Sequence, residues 1–135
     1  MMDLYQEIVI DHAKSPRNKG KLDSPTHHAH GHNPLCGDEL EVTLVVRDGI
    51  IEDVKCAASG CAISIASASI MSEEVKGKPV DEVLEMFRQF RDAMVANGSA
   101  DDLGMLQALV PVREYPMRVK CATMAWHALK EALGA

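Results

Sequence analysis

Aromatic side chains and basic charge are both scarce in this chain. Aromatic residues make up 4% of its 135 residues, so its core must be mainly aliphatic, with eight methionines available to fill gaps. The 14 Lys and Arg against 20 Asp and Glu give a net charge of −6, which argues against nucleic acid as the main partner. No apolar run is long enough to span a bilayer and no signal peptide is visible, so we expect a cytoplasmic protein without membrane contact.

Cysteine is also sparse, and the four cysteines do not form closely spaced CxxC pairs. In a reducing compartment such cysteines are more often ligands, nucleophiles or core residues than disulfides. Hydrophobic residues at 47% and charged residues at 25% are ordinary for a globular protein. The length predicts one domain, residues 1–135, which can bury a proper core without a metal.

Alternation of apolar and polar side chains predicts a β-hairpin in the first half of the chain. One strand runs over Leu40–Val46, Asp48-Gly49 is a two-residue turn, and the return strand runs from Ile50 to about Ala57. The tract His27–His32 could extend this sheet, with alternate imidazoles on one face. Such a tract is more often a solvated edge than a metal site, although alternating imidazoles can bind a borderline metal.

Apolar residues at steps of three and four predict helices around the hairpin. These cover residues 2–14, 61–76, 80–94, 103–110 and 119–133, with Ser15-Pro16, Lys76–Pro79, Asn97-Gly98 and Pro111 as stop signals. A group of strands followed by a group of helices indicates an α+β domain. We therefore predict a small antiparallel sheet of about three strands with helices packed on one face.

Three of the cysteines lie where chemistry is favoured. Cys36 and Asp38 are two positions apart on an extended segment, so a thiol and a carboxylate point to the same side. Cys61 opens a helix, where the positive end of the helix dipole favours a thiolate. Cys121 lies roughly 100° from the centre of the last helix's apolar stripe, so we expect it at the rim. Singly, Cys36 and Cys121 are more often ordinary turn, rim or core residues; jointly, the three cysteines favour a metal or nucleophile site.

Two further observations concern the remaining sulfur and the nearby charge. Cys56 shares a strand face with Val54, so we interpret it as a core thiol. Arg118 and Lys120 lie close to Cys121, and their positive charge would lower the pKa of its thiol. Without a functional site, both cations would belong to a solvated helix face.

Three ordered motifs resemble the U-type iron–sulfur cluster assembly proteins, which include IscU, SufU and the N-terminal part of NifU. The motifs are Asn33–Asp38, Gly60–Ser69 and Arg118–Thr123, and the N-terminal segments Leu4–Glu7 and Asp11–Asn18 resemble the same family. Lys120 stands where the IscU branch has a histidine, and the segment 77–115 is longer than in that branch by about one helix. Both features resemble the SufU branch.

The resemblance implies a metal site made of Cys36, Asp38, Cys61 and Cys121, commonly holding zinc, with Arg118 beside it. It also implies a partner, a SufS-like cysteine desulfurase that passes persulfide sulfur to this protein. Cys56 departs from the family pattern, because relatives usually carry an apolar or aromatic side chain there. It makes a fourth thiol available for cluster or persulfide chemistry without changing the ligand set.

Several functions remain open at this point. A cysteine released from zinc is a nucleophile towards a persulfide, and Cys121 is our choice of sulfur acceptor because Arg118 and Lys120 share its helix. The same ligands could hold a transient [2Fe–2S] cluster or iron, for transfer to downstream cluster carriers. Either role is sulfur transfer or scaffolding rather than classical enzymatic turnover. A structural zinc module is a third reading, but its ligands usually come in close cysteine pairs.

Overall fold

The structure is a computed structural model that describes residues 4–34, 37–95 and 103–134. Within these ranges the chain forms three strands, four α-helices and a 3-10 helix. In chain order they are α1 (Leu4–Lys14), β1 (His27–Asn33), β2 (Asp38–Arg47), β3 (Ile50–Ser59), α2 (Ala62–Val75), α3 (Val80–Val95), the 3-10 helix (Gly104–Glu114) and α4 (Pro116–Ala132). The Asn97-Gly98 stop signal lies outside the described residues. No helix in the described ranges is both long and apolar enough to cross a membrane.

The three strands form one antiparallel sheet in the order β1-β2-β3. The predicted turn joins β2 to β3, with φ of +52° at Asp48 and +75° at Gly49. Positive φ at both central residues is the signature of the type I′ turn, whose twist matches the flanking strands. The hairpin and the third strand predicted from the histidine tract are both confirmed.

The helices cover one face of the sheet, as the α+β prediction requires. Helix α4 packs against β1 and β2, while α2 packs against β3 and lies between α1 and α4. A Cβ added to Gly31 of β1 would lie 3.3 Å from Met124 Cγ and 3.4 Å from Ala128 Cβ of α4. Strand and helix therefore meet at close range where β1 has no side chain.

The core lies between the sheet and these helices. It is mainly aliphatic, as the scarcity of aromatic residues predicted, with Leu40, Val42 and Leu44 of β2 fully or almost fully buried. The only tryptophan in the chain, Trp126, is also fully buried and stacks on Phe87 of α3 with ring centroids 5.9 Å apart. Cys56 belongs to this core, so the prediction of a core thiol is confirmed.

One helix differs from its prediction. The segment expected to be helical over 103–110 is a 3-10 helix that continues through Pro111 to Glu114. Proline lacks a backbone N–H and was read as a stop for an α-helix. The 3-10 helix nevertheless continues past Pro111, although eleven residues is long for this form.

Candidate metal centre

Three of the four predicted ligands converge in the structure. The ligand atoms of Asp38, Cys61 and Cys121 all lie within 4.8 Å of one another. They come from three different elements: the first residue of β2, the residue that caps α2, and the second turn of α4. Residues 23 and 60 positions apart in sequence thus meet where the start of the central strand and two helices adjoin. Cys36, the fourth predicted ligand, lies outside the described residues.

Cys61 is held at the N-terminus of α2 by its own capping geometry. Its Sγ accepts a hydrogen bond from the Ser64 backbone N–H at 3.5 Å, and its extended backbone (φ −74°, ψ 160°) is that of an N-cap residue. The sulfur therefore lies at the positive end of the helix, as the sequence predicted. Cys61 is half-buried, whereas Cys121 is fully buried.

Asp38 is fully buried and is held by donors from both cysteine-bearing helices. The Cys61 backbone N–H donates to Asp38 Oδ1 at 2.8 Å, and the Cys61 thiol lies 3.7 Å from Oδ2. Burial alone would raise the pKa of this carboxyl. Hydrogen bonds from the Cys61 N–H, Ser64, Cys121 and the Cys61 thiol outweigh burial and hold the pKa below its ordinary value. Asp38 is therefore a carboxylate at neutral pH, ready to bind a cation.

Gly60 makes the approach of Asp38 to Cys61 possible. Its φ is +124°, and an added Cβ would lie 2.2 Å from Asp38 Oδ1 and 2.7 Å from Asp38 Cα. Only glycine fits both this backbone conformation and this space. The sequence placed Gly60 directly before the helix that Cys61 opens, but the clearance it gives to Asp38 was not predicted.

Cys121 is not at the rim of its helix, as predicted, but fully buried. The prediction assumed that α4 buries a single stripe, whereas α4 packs against β1, β2, α2, α3 and the 3-10 helix. The buried amide of Asn33, at the end of β1, donates to Cys121 Sγ at 3.6 Å. Ser64 Oγ donates to the Cys121 carbonyl at 3.4 Å, which ties α2 to α4 beside the site.

The remaining candidates lie around this centre or away from it. Arg118 and Lys120 are exposed residues of α4, three residues and one residue before Cys121. Cys56 pairs with Val42, four residues along β2 from Asp38, and is not part of the ligand cluster. Burial raises the pKa of its thiol to about 12. Sequence reasoning missed Asn33 and Ser64 as partners of Cys121, because their contacts cross 88 and 57 positions.

Comparison with known proteins accounts for this grouping of Asp38, Cys61 and Cys121. The model of the NifU-like N terminal domain family matches residues 4–135. The chain belongs to this family. The resemblance stated from the three cysteine motifs is thereby confirmed.

Relatives from both branches match nearly the full chain. The zinc-dependent sulfurtransferase SufU of Bacillus subtilis is 41% identical over 132 residues, which cover 96% of this chain and 89% of that protein. The iron–sulfur cluster assembly scaffold protein IscU of Thermotoga maritima is 39% identical over 133 residues, covering 96% and 92%. A crystal structure of SufU from Fervidobacterium islandicum superposes with a TM-score of 0.89 at 36% identity, covering 94% of each chain.

Proposed function

We propose that this protein is a zinc-binding sulfur acceptor in iron–sulfur cluster assembly, which takes persulfide sulfur from a SufS-like cysteine desulfurase. The observation that carries the proposal is the convergence of Asp38, Cys61 and Cys121 within 4.8 Å. The similarity to a zinc-dependent sulfurtransferase supports it. The gap between Cys36 and Asp38 is a single residue, so Cys36 is proposed as the fourth ligand.

The donor set fits zinc. Zinc binds thiolate and carboxylate ligands, and a site with one weaker oxygen ligand can release a ligand during a reaction. The room that Gly60 leaves beside the buried Asp38 carboxylate is what such a site needs, since a Cβ would fill it. Zinc bound by these residues would hold the thiols deprotonated at neutral pH.

Transfer of sulfur then depends on the chain's own thiols. We propose Cys121 as the acceptor, its thiolate attacking the outer sulfur of the desulfurase persulfide. The new bond joins Cys121 Sγ to that sulfur, the desulfurase S–S bond breaks, and the desulfurase cysteine leaves as a thiolate. The proton stays on the transferred sulfur and no outside oxidant or reductant is needed. Because Cys121 is fully buried, the Asn33 amide that bonds to its sulfur must move aside first.

Arg118 and Cys61 have supporting positions in this proposal. Arg118 lies about one helical turn before Cys121 on the exposed side of α4, where its guanidinium can meet the incoming persulfide. Cys61 is the more exposed of the two described thiols in the cluster. It is therefore the competing acceptor that an experiment must separate from Cys121.

The scaffold function is the second candidate, because a named cluster scaffold, the IscU of Thermotoga maritima, is 39% identical. Thiolates are the usual ligands of iron–sulfur clusters, and an Asp ligand would leave one iron easily released to a downstream carrier. A purely structural zinc module is a weaker candidate than the sulfur acceptor or the scaffold. The main cluster of buried apolar residues, which includes Leu40, Trp126 and Leu129, contains none of the three ligands.

Metal and sulfide content of tag-free protein, purified without oxygen, tests the proposal together with desulfurase activity. We expect about one zinc per chain, no sulfide, and faster alanine release by a SufS-like desulfurase supplied with cysteine. Asp38→Ala, Cys61→Ser and Cys121→Ser should each reduce that stimulation. The matched control is Cys56→Ala, which removes a thiol outside the cluster and should keep both zinc and stimulation.

Two results would redirect the proposal. Iron with equal sulfide in the purified protein would make the scaffold function primary. Loss of the fold on chelation would favour the structural module, which a circular dichroism spectrum of the metal-free protein checks.

A further inference from the structure

The two outer edges of the sheet differ in whether their backbone groups are hydrogen-bonded to another part of the chain. The outer edge of β3 is paired: Cys56 exchanges backbone hydrogen bonds with Asn18 and Gly20 at 2.9 and 3.0 Å, and Ile51 does so with Lys78 and Gly77 at 3.0 and 2.7 Å. Strand β1 pairs with β2 alone, and no other strand of the described ranges pairs with its outer edge. An open edge is a template for another strand, and proteins usually block it with lysine, proline or a bulge.

The outer strand has histidine where such blocking residues would stand. His28, His30 and His32 are all exposed and share one face of β1, while Ala29 and Asn33 on the other face are buried. His30 and His32 also line a cleft of about 330 Å³ beside α4, together with Lys120, His127 and Glu131. Neither the core nor the proposed metal centre uses these imidazoles.

We propose that a second copy of this chain docks along the β1 edge, antiparallel, and that a divalent cation is held between the opposed histidines. A pairing centred on His30 places His30 opposite His30 of the second copy, and His28 opposite His32. Residues opposed in this way have Cβ atoms about 4.5–5.5 Å apart on the same face. Each opposed pair thus offers two imidazoles to one ion, and imidazole suits zinc, nickel and copper.

The charges on α4 complement this arrangement. Gly31, beside the centre of the pairing, lies over Met124 and Ala128, near the middle of the stretch from Lys120 to Glu131. A two-fold axis at that level makes the α4 helices of the two copies run in opposite directions. It therefore brings Lys120 of one copy to the end of the cleft that Glu131 of the other copy occupies. Both side chains are exposed on the cleft, so the interface carries two symmetric pairs of opposite charge.

Sedimentation velocity of the full, tag-free chain with increasing Ni²⁺ tests the proposal. We expect conversion to a species with the mass of two chains, reversed by EDTA. The triple substitution of His28, His30 and His32 by Gln should stay at the mass of one chain. The control His27→Gln changes an imidazole on the same strand but on its other face, and should dimerise as the original chain does.

A charge swap distinguishes this interface from unspecific cross-linking by metal. Lys120→Glu should raise the Ni²⁺ concentration needed for half dimerisation by about three- to tenfold, because two like-charge pairs replace two attractive ones. The double change Lys120→Glu with Glu131→Lys should restore it. The proposal is overturned if the triple histidine variant still dimerises, if the original chain binds Ni²⁺ but stays at the mass of one chain, or if the swap has no effect. Circular dichroism confirms that each variant is folded.

Discussion

Substituting Gly60 by alanine tests how the metal centre is built. The added Cβ would lie 2.2 Å from Asp38 Oδ1, so the carboxylate must turn away from the position in which it accepts the Cys61 N–H. A hydrogen bond to a charged group contributes about 1.5–3 kcal/mol. Placing a non-glycine residue at a φ of +124° adds about 1–3 kcal/mol of backbone strain. Both effects lower the free energy of unfolding, and the first also displaces a proposed ligand.

Gly77→Ala is the matched control. Gly77 also has a positive φ, +85°, but an added Cβ there has nothing within 4 Å. It therefore carries backbone strain without touching Asp38. Urea unfolding of the metal-free proteins should show Gly60→Ala less stable than Gly77→Ala by about 1.5–3 kcal/mol, the share of the lost hydrogen bond.

Zinc affinity, measured by competition with a chromophoric chelator, should separate the two variants further. Moving the carboxylate should weaken zinc binding about 10- to 100-fold in Gly60→Ala, which is the range found when groups that orient a metal ligand are changed. Gly77→Ala should bind zinc as the original chain does. Equal zinc affinity in the two variants would refute the role of Gly60 in placing Asp38.

Three further outcomes follow from individual residues. Asp38→Ala should lose zinc to a chelator more readily while its circular dichroism stays native; unchanged zinc content would remove Asp38 from the ligand set. The Cys56 thiol, with a pKa raised by burial from 9.0 to about 12, has a thiolate fraction about a thousandfold below an ordinary cysteine. Iodoacetamide should therefore label Cys61 in the native metal-free protein and Cys56 only in urea, and rapid native labelling of Cys56 would show that it is not a core thiol. Burial, reinforced by the charge of Arg17, lowers the pKa of His12 below 6.5. The neutral imidazole therefore stabilises the fold above pH 6.5, and this stability is lost as the pH falls through the lowered pKa. Unfolding free energies of the original chain should thus fall more steeply from pH 7 to 5 than those of His12→Gln, and parallel curves would contradict the assignment.

Local chemistry made the sheet and most helices predictable. The Asp48-Gly49 turn supplies the positive φ values that a two-residue hairpin needs, and the alternation on either side sets which residues enter the core. The same alternation correctly predicted that the Cys56 side chain lies in the core. The 3-10 helix was less predictable, because a proline lacks a backbone N–H and is the usual stop signal, yet the helix continues past Pro111.

The site itself depends on contacts between distant parts of the chain, so only its members could be predicted. The burial of Cys121 follows from how many elements surround α4, which a single apolar stripe does not reveal. His12 is a similar case. Its Nδ1 lies 2.7 Å from Ser69 Oγ, which also accepts the Arg17 N–H, so we infer that the Ser69 hydroxyl donates to a neutral imidazole. That partner is 57 positions away and no spacing rule connects the two.

Mapping of the persulfide by mass spectrometry tests the central claim most directly. The chain would be incubated with a SufS-like desulfurase and cysteine, alkylated, digested and analysed for one added sulfur on each cysteine peptide. Our proposal predicts the added sulfur on Cys121, and its disappearance without transfer to another residue in Cys121→Ser. Sulfur on none of the cysteines, or on Cys56 alone, would contradict the assignment of this protein as a sulfur acceptor at the Asp38, Cys61 and Cys121 centre.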